Sequence, residues 1–364
     1  MKMIVSCGGT GGHITPALAL ADTVKCNEPR AEILFVGSER GMENTLVKDA
    51  GYAIEALRVE GISRRISLTN LRALYRAGKA VGQAKRLIQE FSPDIVIGTG
   101  GYACYPTLRA AALLGVPCAV HESNAVPGLA VRRLAAKVDR VWLNFEAAKD
   151  GLPQSASTLV VGNPLPIDSR RGGGALRLPS GCRRMVLSFG GSLGARELNR
   201  AVLDLMERER GLADVYHCHA TGKREYDAFL AEFSARGLTK CPNLEVLPYI
   251  NDMPRRMAAA DVVISRAGAM SISEIAAASR AAVLIPSPNV TGDHQYKNAK
   301  MLADAGAAYL VTEDRLADGE LTKAVLSLLA SEEKRRALAS AVGAFARPDA
   351  NRLILQDIRK LAKK

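Results

Sequence analysis

His13 and Glu274 are the two residues of this 364-residue chain whose setting best suits them to chemistry. His13 ends the run Gly8-Gly9-Thr10-Gly11-Gly12-His13 and opens a helix with Pro16 close to its start. An imidazole titrates near neutrality, so one at a strand-to-helix turn could take a proton from an attacking hydroxyl; the plainer reading is that it caps or packs on the helix. Glu274 lies in Ser265-Arg266-Ala267-Gly268-Ala269-Met270-Ser271-Ile272-Ser273-Glu274, where a strand, a small-residue loop and a helix place it within the first turns. A carboxylate repels a diphosphate but accepts from both adjacent hydroxyls of a ribose. Glu274 therefore reads as a ribose holder; the plainer reading is a surface residue favoured by the helix dipole.

Backbone amides supply the rest of the candidate chemistry. Glycine lets amides approach an anion, and a helix start favours negative charge, so Thr10, Gly11 and Gly12 are candidate substrate contacts. Gly190-Gly191-Ser192-Leu193-Gly194 offers amides and the Ser192 hydroxyl to a diphosphate, or is an ordinary tight turn. Gly98-Thr99-Gly100-Gly101-Tyr102 and His121-Glu122-Ser123-Asn124 follow two further apolar strands. Asn124 could bond sugar hydroxyls or an acceptor phosphate, or form an Asx turn before Pro127-Gly128, while His121 and Glu122 shape the loop. Gly292 to Asn298, with Gln295 within it, opens another helix with side chains suited to a sugar.

Other chemistries are disfavoured. The first loop lacks the GxGxxG spacing of a dinucleotide fingerprint, and no Lys-Ser/Thr ending marks a P-loop. His217-Cys218-His219 puts two imidazoles on one face of a strand, but no further ligand for a four-ligand metal site accompanies them, so a structural role is expected.

Short β-branched runs alternate with helix-length amphipathic segments, the pattern of parallel sheets built from βαβ units. Strands are expected at Met3 to Ser6, Ile33 to Val36, Ile95 to Ile97 and Cys118 to His121, then at Met185 to Ser188, Val215 to His217, Val262 to Ile264 and Val283 to Ile285. The two halves open alike, with IVSCGGTGGHIT and VLSFGGSLGARE, and Gly162 to Pro166 followed by Arg170 to Gly174 breaks the rhythm between them. Domains are expected over 1–163 and 164–346, with an amphipathic final helix in 347–364 packing back across the junction.

The length and 48% hydrophobic content allow two cores. No apolar run approaches the roughly 20 residues of a spanning helix and no signal-peptide core opens the chain, so a cytoplasmic protein is expected. The seven scattered cysteines form no CxxC pair and suit reduced, mostly buried thiols. A net charge of +12 implies attraction to polyanions without choosing among them. Leu68 to Ile88 carries Leu71, Leu74, Tyr75 and Val81 with Arg72, Arg76 and Lys79 near them, and is either a helix docking on anionic lipid or one packed on its own sheet.

Taken in order, GGTGGHITP, GTGGYACYP, HESNAVPG, VGNP, FGGSLGA and SRAGAMSISEIAAA through DHQYKNA resemble the motifs of the MurG family of glycosyltransferase family 28, over nearly the whole chain. The resemblance implies an α/β fold of the GT-B type: two Rossmann-like domains facing across a cleft, the nucleotide on the second and a lipid-linked acceptor on the first. It implies transfer of N-acetylglucosamine from UDP to lipid I, giving lipid II, at the cytoplasmic face of an anionic membrane, with no cofactor, no tightly bound metal and no nucleic-acid partner. By the same resemblance Ile250 pairs its backbone with uracil, Glu274 holds the ribose, Ser192 the diphosphate, and Ala269, Met270 and Gln295 the sugar, with Ser271 a further substrate contact and His13 and Asn124 near the reacting hydroxyl. The chain departs from the family pattern at Pro166, Leu193 and Cys104, where relatives often have Arg, Gln and Ser. Rival readings are another GT-B enzyme, such as a diacylglycerol glycosyltransferase or a UDP-N-acetylglucosamine 2-epimerase, and a noncatalytic polyanion-binding protein.

Overall fold

The computed structural model describes residues 1–59, 68–166, 176–191 and 194–363; for 68–77 and Thr291 the backbone alone is described. The chain divides into two compact units, Met1–Ile167 with Arg347–Lys364, and Asp168–Ala346.

The first unit runs β1 (Lys2–Ser6), α1 (Gly11–Asn27), β2 (Glu32–Ser38), α2 (Glu43–Asp49), β3 (Ala53–Leu57), α3 (Leu68–Phe91), β4 (Ile95–Gly98), α4 (Cys104–Leu114), β5 (Cys118–Glu122), α5 (Leu129–Leu134), β6 (Arg140–Leu143) and β7 (Thr158–Val160). Its seven parallel strands lie in the order β3-β2-β1-β4-β5-β6-β7. Met3 pairs with Ile33 on one side and Ile95 on the other. Alternation sorts β1 between two cores: Met3 and Val5 join Ile14, Leu20 and Phe35, while Ile4 joins Val96, Leu108 and Leu134. Strands covered on both faces need unbroken apolar runs, as the wholly buried Ile95–Gly98 shows.

The second unit runs β8 (Arg184–Phe189), α6 (Arg196–Glu209), β9 (Val215–Ala220), α7 (Tyr226–Ala235), β10 (Leu244–Leu247), α8 (Met253–Ala259), β11 (Val262–Ser265), α9 (Ala269–Ala278), β12 (Ala281–Leu284), α10 (His294–Asp304), β13 (Tyr309–Leu310), α11 (Glu320–Ala330) and α12 (Glu332–Gly343). Its parallel strand order, β10-β9-β8-β11-β12-β13, repeats the order of the first six strands of the other sheet. Both are the doubly wound order, in which the chain reverses direction across the sheet between its first and fourth strands.

The last helix, α13 (Ala350–Leu361), packs on α1 of the first unit. Ile354, Leu355, Ile358 and Leu361 join the core beneath α1. Polar bonds fix its register: Asp357 accepts from Trp142 Nε1 at 2.8 Å and Arg140 Nε at 2.9 Å, and Asn351 donates to Thr23 Oγ1 at 2.7 Å.

Candidate functional site

In an open parallel sheet, ligands gather beyond the carboxyl ends of the strands where the strand order reverses. In the first unit that point lies between β1 and β4, whose loops lead into α1 and α4. The two loops interlock through glycine. A Cβ on Gly101, at φ +91°, would stand 2.2 Å from the Gly8 carbonyl oxygen, and one on Gly100, at φ +113°, would stand 2.4 Å from His13 Cδ2. The Thr99 hydroxyl donates to the His13 carbonyl at 2.7 Å.

The His13 ring is half-buried, with Nδ1 3.1 Å from the Gly8 carbonyl oxygen and 3.3 Å from Thr10 Oγ1. A carbonyl only accepts, so the bond to Gly8 puts the proton on Nδ1 and the acceptor lone pair of the neutral ring on Nε2. That tautomer is the one a general base needs. Thr10 caps α1 in an extended conformation, and Gly11 and Gly12 form its first turn.

Glu43 is a member of this site that the sequence does not announce. It is fully buried at the start of α2 and accepts from Gly9 N at 3.1 Å, Ser38 N at 2.8 Å and Ser38 Oγ at 2.6 Å. Burial opposes its ionisation, but the hydrogen bonds from Ser38 and Gly9 prevail and hold its pKa below the ordinary value. An ionised Glu43 thereby anchors the Gly8-Gly9 turn from below. Its signal was hidden because an acidic residue in a first helical turn is ordinary.

The loop after β5 is built around Glu122, which accepts from Asn124 N at 2.9 Å, Asn124 Nδ2 at 3.0 Å and Gly128 N at 2.7 Å. Burial raises the Glu122 pKa. Asn124 thus spends one donor within its own loop and remains partly exposed at the same sheet edge as His13. His121 is buried against the Gly162 carbonyl, and burial lowers its pKa to about 4. The departure Cys104 sits in the core, its Sγ only 2.4 Å from a Cβ that Gly98 lacks.

In the second unit the reversal lies between β8 and β11. Gly191, at φ +88°, enters the turn after β8; Ser192 and Leu193 lie outside the described residues. Where the turn resumes, a Cβ on Gly194 would stand 2.3 Å from the Thr221 carbonyl. Ala269, Met270 and Ser271 form the first turn of α9, and Asn298 ties the loop before them by donating to the Ala267 carbonyl at 3.3 Å. Arg266, also unannounced by the sequence, donates to the carbonyls of Ile285 and Pro286 and pairs with Glu313 at 3.1 Å. It joins the ends of β11 and β12.

Glu274 lies on α9 with a partly exposed side chain, and its carboxyl makes no hydrogen bond or ion pair with any other described residue. The protein mass around it still pushes its pKa up to about 7 by burial. A carboxyl held at a sheet edge without donors among the described residues is poised for hydroxyls from a ligand. Ile250 is buried in the loop after β10, and neither its N–H nor its C=O bonds another described residue. Gln295, in the first turn of α10, accepts from Ser287 N at 2.8 Å, so its carbonyl is engaged and its amide hydrogens remain to donate.

His217 and His219 are fully buried and meet at Ser188 Oγ, at 2.7 and 2.8 Å, while His217 Nδ1 bonds Glu209. Burial and the neighbouring His217 lower the His219 pKa to about 3. This chain of bonds ties α6 to β8 and β9.

Comparison with known proteins places these features in a family. Residues 3–143 match the glycosyltransferase family 28 N-terminal domain, and residues 185–354 match the glycosyltransferase family 28 C-terminal domain. The UDP-N-acetylglucosamine--N-acetylmuramyl-(pentapeptide) pyrophosphoryl-undecaprenol N-acetylglucosamine transferase 2 of Bacillus thuringiensis (strain Al Hakam) is 39% identical over 371 residues, covering 100% of both chains. The transferase of that name from Limosilactobacillus fermentum is also 39% identical, covering 99% of this chain and 98% of its own. The crystal structure of Acinetobacter baumannii MurG matches with a TM-score of 0.78 at 30% identity, covering 99% of each chain. A putative UDP-N-acetylglucosamine 2-epimerase from Listeria monocytogenes, at 15% identity and a TM-score of 0.68, shares the fold alone. With its two Rossmann-like units of the GT-B type, the chain belongs to glycosyltransferase family 28, among the MurG transferases.

Proposed function

We propose that this enzyme transfers N-acetylglucosamine from UDP-N-acetylglucosamine to the 4-hydroxyl of the N-acetylmuramyl sugar of lipid I, giving lipid II for peptidoglycan. The observation that carries this reading is the 39% identity, over its whole length, to transferases named for that reaction. The geometry supports it, because each sheet leads into a glycine-rich turn at its reversal point, one beside an imidazole and the other on the strand next to the one whose helix carries a carboxyl that no described residue bonds.

The acceptor oxygen attacks the anomeric carbon of the donor as the bond from that carbon to the β-phosphate oxygen breaks, and UDP departs with the electron pair. The configuration inverts from α to β. His13 Nε2 takes the hydroxyl proton, while Thr10, Gly11, Gly12 and Asn124 receive the acceptor. On the donor side Glu274 accepts from the ribose, the backbone of Ile250 pairs with uracil, and Ala269, Met270, Ser271 and Gln295 line the sugar. Charge developing on the diphosphate is met by the amides following Gly190, with the Ser192 hydroxyl, at the start of α6. No step of this displacement calls on a cofactor.

A lipid-linked acceptor requires docking at the cytoplasmic face of an anionic membrane. Among the described residues no helix is long and apolar enough to cross one. The docking surface is α3; Leu71, Arg72, Leu74, Tyr75 and Arg76 have side chains outside the described residues, while Lys79 is exposed at its described end.

The test is a transfer assay with radiolabelled UDP-N-acetylglucosamine and a short-chain lipid I analogue, run beside UDP-glucose and UDP-N-acetylgalactosamine. Label should enter the acceptor from the first donor in strong preference. Epimerised or hydrolysed donor without labelled acceptor would reject the reading.

A further inference from the structure

We propose that the groove running from Gly9 and Tyr102 along α3 holds the peptide of the acceptor, with Arg40 and Arg86 receiving its carboxylates; this rests on the acceptor reading above. The groove belongs wholly to the first unit, with walls from the turn between β2 and α2, from β3 and from α3. It starts at the imidazole loop, since a Cβ on Gly9 would lie 3.9 Å from Tyr102 Cε2, and Tyr102 is 57% exposed.

Arg40 and Arg86 both line the groove, both are exposed, and neither guanidinium bonds another described residue. Arg58, which also lines the groove, is already paired with Glu39 at 2.9 Å. Glu55 and Glu90 also line it and are exposed. A compact diphosphate would meet these carboxylates as well as the guanidinium groups. A peptide, with its carboxylates separated by amides, can match both signs along its length, and planar guanidinium groups suit carboxylates as bidentate donors.

The chemistry of the acceptor places the peptide here. In a muramyl sugar the peptide hangs from the oxygen on carbon 3, beside the carbon whose hydroxyl reacts. If His13 takes that hydroxyl's proton, the peptide leaves the sugar next to the imidazole loop, where the groove begins.

The experiment compares wild type with an Arg40→Ala, Arg86→Ala double variant on two acceptors: a short-chain lipid I analogue with its full peptide, and the same lipid-linked sugar with the lactyl group capped as a simple amide. Both arginines are exposed, so the fold should persist. The variant should raise KM for the peptide-bearing acceptor about tenfold, the scale of losing charge-assisted hydrogen bonds, while KM for the capped acceptor and for the donor stays within about twofold. Equal losses on both acceptors, or no loss on either, would overturn the inference while leaving the transferase reading intact. Wild type inactive on both acceptors would reject that reading and the inference with it.

Discussion

Ionising Glu274 has a free-energy cost in the empty protein, because no described residue supplies a compensating donor. Burial raises the carboxyl from 4.5 to about 7. Between those pH values the unfolded chain has released a proton that the folded protein keeps, so unfolding releases it and stability falls as pH rises through the window. The full penalty, up to about 3 kcal/mol, is present above pH 7. Glu274→Gln should therefore raise the melting temperature of the donor-free protein at pH 8 and change it little at pH 5; calorimetry at the two pH values checks this. The same variant loses an acceptor for the ribose, so UDP affinity should drop, and Glu274→Ala should weaken it by roughly 1–3 kcal/mol. At His13 the expectation is the reverse: His13→Ala should lower turnover on the order of 100-fold or more and leave UDP affinity intact. Gly100→Ala should approach that loss by pushing the imidazole aside, since its new methyl would start 2.4 Å from the ring. Steady-state kinetics beside titration calorimetry separates the effects, and a His13→Ala enzyme of normal turnover would end the general-base assignment.

At the scale of elements, α13 shows how a terminal segment becomes part of a distant core. Asp357 is buried between Trp142 Nε1 and Arg140 of β6, more than 200 residues earlier in the chain. Asp357→Ala would leave the indole N–H without its acceptor and the guanidinium without its counter-ion, at a cost of roughly 2–4 kcal/mol. Asp357→Asn keeps an acceptor oxygen and should cost less. Urea unfolding followed by the fluorescence of Trp142, the only tryptophan in the sequence, reads both. An alanine variant as stable as wild type would mean that apolar packing alone seats the helix.

For the molecule as a whole, the +12 charge favours anionic surfaces and should act through the membrane. Sedimentation with anionic vesicles should pull the protein down at low salt and release it at roughly 1 M salt, where screening reaches about 3 Å; neutral vesicles should bind far less. Binding indifferent to lipid charge would reject docking by α3. The sequence by itself determined the alternation of strands and helices, the doubling of the pattern and the glycine-rich turns, because apolar periodicity and glycine's backbone freedom act over a few residues. It likewise marked His13 and Glu274 through their place at helix starts. Only the tertiary structure decided that Glu43 would underpin the Gly8-Gly9 turn, that Arg266 would link the ends of β11 and β12, and that the Glu274 carboxyl would find no partner among the described residues. Those roles depend on which side chains the sheet order brings within hydrogen-bond reach, and on how much water the packed protein removes. Both are properties of the assembled fold, set by residues far apart in the chain.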